Sequence, residues 1–361
     1  MLFINSCKKV LTGFLFFISL FIITISCDST EPDNINTDQD TTSHNFTFQT
    51  WSFGQHSSNI LYDVAIIDEN NIWAVGEIYL NDSTGLPDPH PYNAIHWDGV
   101  SWIITRIPTK TFSGSIVSST INTVFAYNIN DVWTFSIARS YSHWDGNHWE
   151  TEFVNQRNGS GNKILGTSIN NIYLACNDGG ISFYNSINWS LIPSGTDLDI
   201  YDICGKQNSN NSYEILCVAA KQSVNPNKKI FRIENNILTE MNVNGIPSSI
   251  RGIWFKPGER YYVVGSGMFY KNNINSNDSW ISFGGSVTPY YTNSIDGNDV
   301  KDIVVCGAYG ELLHYNGSTW KSYQNQLEMQ AGSYRSIKIK NNLLVAVGYD
   351  SPKAVITIGR R

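Results

Sequence analysis

One phrase recurs along this chain and restricts its fold more than anything else in it. Residues 62–107 read YDVAIIDENNIWAVG, a loop, then NAIHWDGVSWIITRI. The next block answers with NTVFAYNINDVWTFS, a loop and YSHWDGNHWETEF. Each block has an apolar run, an Asx-rich turn and a second apolar run that ends in a small residue. A third run closes on His-Trp-Asp-Gly, and a fourth opens on Trp102 or Trp149. The periodicity inside each unit is two, not 3.6, so the unit is a four-stranded antiparallel meander rather than a helical pair.

Residues opening the fourth run recur at Trp102, Trp149, Trp189, Leu238, Trp280 and Trp320, matching the ~40–50-residue period of β-propeller blades. Second runs can be aligned seven times, at 72–76, 132–135, 172–175, 215–219, 262–265, 303–307 and 344–348. The expected fold is therefore all-β: a seven-bladed β-propeller of four-stranded antiparallel blades over residues 46–361. A six-bladed ring with an irregular fourth blade is the rival. The last repeat lacks a fourth run after 354–358, whereas residues 46–53 resemble a fourth run with no blade before them. Pairing the two would complete the last blade and close the ring, leaving no long sheet edge exposed.

The shared residues read as architecture. Asp98-Gly99, Asp145-Gly146 and Asn316-Gly317 sit where a hairpin must turn, and Asn185-Ser186 and Lys271-Asn272 are degraded copies. His96, His143 and His314 recur at one blade position, so they point away from one another and suit packing or a hydrogen bond to a neighbouring blade, not a metal. Asp296-Gly-Asn-Asp299 is too short for a calcium loop and reads as a turn. Cys176, Cys204, Cys217 and Cys306 fall in strands with no metal or haem spacing; buried thiols are expected, with a Cys204–Cys217 disulfide left open. No catalytic set, metal site or cofactor motif is expected.

The N-terminus carries an address. Lys8 and Lys9 precede an uncharged run from Val10 to Ile25, shorter than the ~20 residues of a spanning helix. Ser26-Cys27 then closes a segment similar to a bacterial lipoprotein signal, which implies that Cys27 is acylated and becomes the mature N-terminus; plain secretion and an uncleaved anchor are the alternatives. Residues 28–45 hold five acids, no Lys or Arg and almost nothing apolar, as expected of a disordered tether. With 24 Lys and Arg against 31 Asp and Glu, the net charge is −7 and no domain is basic, so nucleic acid is not an expected partner.

Taken together, the repeats D/N-Φ-W-A-V-G…H-W-D-G-x-x-W (Φ apolar) and the Cys27 segment resemble bacterial, Bacteroidetes-type β-propeller lipoproteins. The Gly-His dipeptide of WD40 repeats is missing. The acidic stretch after Cys27 resembles surface-export signals of that group. The resemblance implies an exported, monomeric propeller, lipid-anchored in the cell envelope at the outer membrane and exposed at the surface.

Function on rigid scaffolds concentrates in long loops. Here these are 79–92, 109–119, 155–161 and 221–229, all on the face from which first strands enter the central channel. Residues at those strand entries form a candidate funnel for a polar ligand: Tyr62, Asp63, Lys163, Tyr201, Asp202, Arg251, Tyr291 and Arg335. His90 and Tyr92 of the first insertion are added to it. The reading favoured is a non-enzymatic binding module for a glycan, a peptide or an envelope protein. Alternatives are a scaffold subunit of an envelope machine and a glycoside hydrolase or lyase, the last requiring paired carboxylates ~5–10 Å apart.

Overall fold

The computed structural model describes residues 41–155, 159–168, 170–221, 227–284, 287–327, 329 and 331–361. The segment expected to be an export signal, Cys27 and the expected tether up to residue 40 lie outside them.

Seven four-stranded antiparallel sheets succeed one another along the chain. Their first, innermost strands define blades 1 to 7: Ile60–Asp68, Ile121–Asn128, Gly161–Ser168, Asp199–Gln207, Ile250–Lys256, Thr292–Asp299 and Ser333–Lys340. Blade 4 is complete, continuing through Tyr213–Ala220, Lys228–Glu234 and Ile237–Met241, which removes the six-bladed alternative. A two-stranded hairpin of Thr109–Lys110 and Ile116–Val117 decorates the link between blades 1 and 2.

Second strands are buried on both faces, as their unbroken apolar character requires: every residue of Asp131–Ser136 and of Asp302–Gly307 is buried. Cores form between neighbouring sheets. Leu61, Val64, Ile72 and Ala74 of blade 1 pack on Val345, Val347, Ala354 and Ile356 of blade 7, where full burial of such a side chain is worth roughly 1.5–3 kcal/mol.

The ring closes as the sequence predicts. Thr47–Phe53 is the outer strand of blade 7, paired with Lys353–Arg360 in a register running from Thr47 opposite Arg360 to Phe53 opposite Ala354. Contacts begin earlier than that strand. Residues 42–45, assigned by composition to the tether, lie along blade 6, where the Thr42 amide donates to the Asn316 carbonyl at 3.2 Å and the His44 and His314 Nδ1 atoms are 2.8 Å apart. His314 Nε2 is 2.8 Å from Asp302 Oδ1, an acceptor, so that nitrogen carries the proton.

The Trp-Asp-Gly box is turn chemistry. Asp98 Oδ1 accepts the amides of Val100 and Ser101 at 2.8 and 2.7 Å, and Asp145 and Asn316 repeat the arrangement. Gly99 takes the positive φ of +92° that the turn demands. Asn185 accepts likewise, with Ser186 forced to φ +69° where glycine is missing. Of the recurrent histidines, His143 bonds within its own blade, its Nε2 2.8 Å from Asp131, whereas His314 pairs with Asp302 of its own blade at 2.8 Å and also meets Arg361, just past the last strand of blade 7, at 3.3 Å. His96 stacks on Trp73 with ring centroids 4.3 Å apart. Asp296–Asp299 is the end of a first strand rather than a turn, and Asp296 Oδ2 accepts the Ile339 amide of blade 7. Cys204 and Cys217 are free thiols, like Cys176 and Cys306.

Candidate functional site at the channel mouth

Every first strand carries a β-bulge at the same place. Register with the second strand skips one residue in each blade: Tyr62, Asn122, Asn162, Tyr201, Arg251, Asn293 and Arg335. A bulge puts two residues opposite one and re-aims a side chain. Repeated seven times, it makes a ring, and all seven skipped residues line a cavity of about 240 Å³ at the channel mouth.

The small residue ending each second strand has its explanation here. It lies opposite the residue before the bulge, in pairs such as Leu61 with Gly76 and Tyr334 with Gly348. A Cβ on Gly76 would lie 2.1 Å from the Ile60 carbonyl oxygen, and one on Gly348 2.0 Å from that of Ser333. Ser136, Cys176 and Ala219 hold the same place in blades 2 to 4.

Behind the ring, the residue after the bulge stitches blades together in every blade but the fifth, where it is Gly252. Asp63 is the hub. Its Oδ2 accepts from the Thr123 hydroxyl at 2.7 Å and the Val124 amide at 3.1 Å, both in blade 2. Its Oδ1 accepts from Lys163 Nζ of blade 3 at 2.6 Å and Ser336 Oγ of blade 7 at 2.7 Å. One buried carboxylate thus ties four blades across the channel. Burial alone would push this carboxyl up, but Lys163, Lys338 and the Lys163 and Ser336 hydrogen bonds hold it below its usual value. Asp202 differs: burial raises it, and Lys163 and the Ile253 amide only partly compensate. Lys163, Asp202 and Ser294 also line a second cavity of about 220 Å³ on the far side, whose walls include Phe125, Trp254 and Lys338.

The ring itself is uneven. In blades 2, 3 and 6 the asparagine amides clamp the next blade: Asn122 Nδ2 donates to the Gly161 carbonyl at 3.0 Å, Asn162 Nδ2 to Ile200 at 3.0 Å and Asn293 Nδ2 to Tyr334 at 2.7 Å. Arg251 stacks over the Tyr201 ring at 4.5 Å, and Arg335 lies 5.3 Å over the Tyr349 ring. Neither guanidinium has an ion pair or hydrogen bond among the described residues, and the buried Arg335 Nε has no acceptor. Burial raises the Tyr62 and Tyr201 phenols, so both stay neutral donors.

Of the residues expected at the funnel, Tyr62, Asp63, Lys163, Tyr201, Asp202, Arg251 and Arg335 line this one cavity. Tyr291 does not; it precedes the blade 6 strand, its hydroxyl buried without a partner, and Asn293 holds the ring position. His90 and Tyr92 lie on the blade 1 insertion and line no part of the mouth. There Arg106 donates to Asp88 Oδ2 at 2.5 Å and to the His90 carbonyl at 2.7 Å, with its guanidinium 3.9 Å over the Tyr92 ring. In the blade 4 loop, residues 222–226 lie outside the described residues. Sequence reasoning missed Asn122, Asn162 and Asn293, although a signal exists. Each ring residue stands two places before an Ile or Val, as in Leu61-Tyr62-Asp63-Val64, Ile121-Asn122-Thr123-Val124 and Tyr334-Arg335-Ser336-Ile337.

No family model matches the chain, and no curated protein matches it. Solved structures share the fold. YCF48 bound to D1 peptide superposes with a TM-score of 0.64 at 13% identity, covering 90% of this chain and 98% of that one. Virginiamycin B lyase from Staphylococcus aureus gives 0.60 at 11% identity, covering 86% and 99%. The WD40 propeller domain of Doa1 gives 0.61 at 12% identity, covering 88% and 97%.

Proposed function

We propose that this chain is a non-enzymatic binding module, lipid-anchored in the cell envelope through Cys27, whose channel mouth takes a polar ligand of the glycan or peptide class. The carrying observation is the ring of seven bulge residues, which gathers phenol, amide and guanidinium groups around one cavity. Concave sites with convergent polar groups on a rigid frame are the usual place for a ligand. The frame suits the role, because the Asp63 hub and the asparagine clamps hold the ring in place without using its two arginines. A propeller of this shape, YCF48, is solved with a peptide bound.

The lyases of like fold favour an enzymatic alternative. One of them, with quinupristin, is a catalytically inactive His-to-Ala form. The mouth of this chain has no histidine among its described lining residues, and its two carboxylates, Asp63 and Asp202, are occupied by inter-blade hydrogen bonds. That chemistry supports binding over turnover.

A combined glycan and peptide array probed with the full chain tests the proposal. Binding that Tyr62→Ala abolishes is the expected result, and silence on both arrays would favour a scaffold role. Incorporation of labelled palmitate, lost in Cys27→Ser, is expected for the anchor; unchanged labelling in that variant would remove it.

A further inference from the structure

The mouth is polarised in a way that names its ligand more closely, and we infer that it recognises an acidic sugar, a uronic acid residue of a glycan. This inference rests on the mouth being a binding site. Three observations carry it. First, Arg251 and Arg335, on blades 5 and 7, are cations without an ionic partner among the described residues, in a chain of net charge −7. The third cation of the mouth, Lys163, is already neutralised by Asp63 at 2.6 Å. An unpaired arginine is a fork of donors shaped for a carboxylate.

Second, the asparagines of blades 2, 3 and 6 present the opposite chemistry. Each amide nitrogen is committed to a carbonyl of the next blade. That fixes the amide orientation, because a carbonyl facing a carbonyl would find no proton. The amide oxygens accept no hydrogen bond among the described residues, which leaves them as acceptors for a ligand. Third, donors and acceptors are arranged in a closed ring around about 240 Å³. A pyranose carries hydroxyl donors around its whole edge and, in a uronic acid, one carboxylate among them. An extended peptide instead sets its N–H groups along a line on alternate sides. The compact ring of acceptors with a cationic sector matches the sugar acid.

The test is titration calorimetry of the full chain with oligogalacturonates and oligoglucuronates of two to four units. The neutral galactose and glucose oligomers and a peptide ending in Asp-Glu serve as comparison ligands. The expected result is that uronates bind, at least tenfold tighter than their neutral counterparts. Arg335→Ala and Arg251→Ala should each weaken uronate binding about tenfold while changing the thermal midpoint little, with Arg335→Lys recovering part. Uronate binding unchanged in both alanine variants would overturn the inference. So would neutral sugar bound as tightly, or the acidic peptide bound more tightly. In those last two cases the mouth remains a binding site if Tyr62→Ala still abolishes the binding seen. Absence of any sugar or peptide binding would overturn both the inference and the function it rests on.

Discussion

The ring at the channel mouth and the 79–92 insertion on blade 1 lie toward the same face, and they use their polar groups in opposite ways. The insertion is occupied with itself. Asp82 Oδ1 accepts the amides of Thr84 and Leu86 at 2.8 and 3.1 Å, and Arg106 fastens Asp88, the His90 carbonyl and the Tyr92 ring. The mouth has its carboxylates and amide nitrogens fastened by neighbouring blades, yet leaves two guanidinium groups and three amide oxygens free of protein partners among the described residues. The proposed function therefore rests on the mouth rather than on the length and polarity of a loop. It takes its support from the polar groups that remain without protein partners among the described residues once the fold has been held together.

The largest effect that would break this contrast is at the hub. Asp63→Ala removes the carboxylate hydrogen-bonded to the half-buried Lys163 and leaves Thr123, Val124 and Ser336 without their acceptor, and loss of one partner of a buried pair costs about 3–5 kcal/mol. Urea denaturation should show it as a lowered midpoint; a change below ~1 kcal/mol would mean that the mouth is not held from behind.

Next is a clamp. Asn293→Ala removes buried hydrogen bonds to Ser333 Oγ and the Tyr334 carbonyl, for an expected loss of roughly 1–3 kcal/mol. Hydrogen exchange should locate the loosening at the blade 6–blade 7 seam, and loosening in blade 1 instead would sink the assignment.

The segment at 42–46 gives an intermediate case, because it is fastened by a titratable group. Burial, then His314, Lys321 and Arg361, holds His44 down to about 4, from 6.5. Detached, the imidazole takes its proton near 6.5; docked, it does so only near 4. Docking is thus fully favoured above 6.5 and weakens as pH falls from 6.5 through 4. Proteolysis between residues 41 and 46 should accelerate across that window, and His44→Gln should flatten the dependence. Equal cleavage at pH 7.5 and 4.5 would contradict it.

The smallest effect sharpens the contrast. Replacing residues 82–87 with a short Gly-Ser turn removes exposed, self-bonded chain, for a change within ~0.5 kcal/mol. Ligand affinity at the mouth should stay within twofold. A larger loss would give the insertion the recognition role that its length suggested.

Strand order, blade count, ring closure and the Asx turns were legible because each is written in residue types: alternating apolar runs, Asp-Gly pairs and an unmatched run at each end. Four of the seven ring residues, Tyr62, Tyr201, Arg251 and Arg335, were legible from their chemistry at strand entries. Asn122, Asn162 and Asn293 were not, and Tyr291 was chosen where Asn293 belongs. The reason is that a bulge inserts a residue that no period-two pattern registers, so counting from a strand's start mislocates the inward side chain by one or two places. The small residue at the end of each second strand was read simply as a terminator. It in fact marks where the facing backbone swells.

The closing blade has a consequence for how this chain is made. Phe53 and Ala354 pair directly, yet some 300 residues of synthesis separate them. Chains emerge N-terminus first, so Thr47–Phe53 is released early and has no seat until Lys353–Arg360 arrives. Six blades can mature in turn while the seventh waits. A shortened product would keep an unpaired strand at one end and an open sheet edge at the other. Sealing the ring thus amounts to proofreading: only a chain read through to Arg360 can present a finished channel.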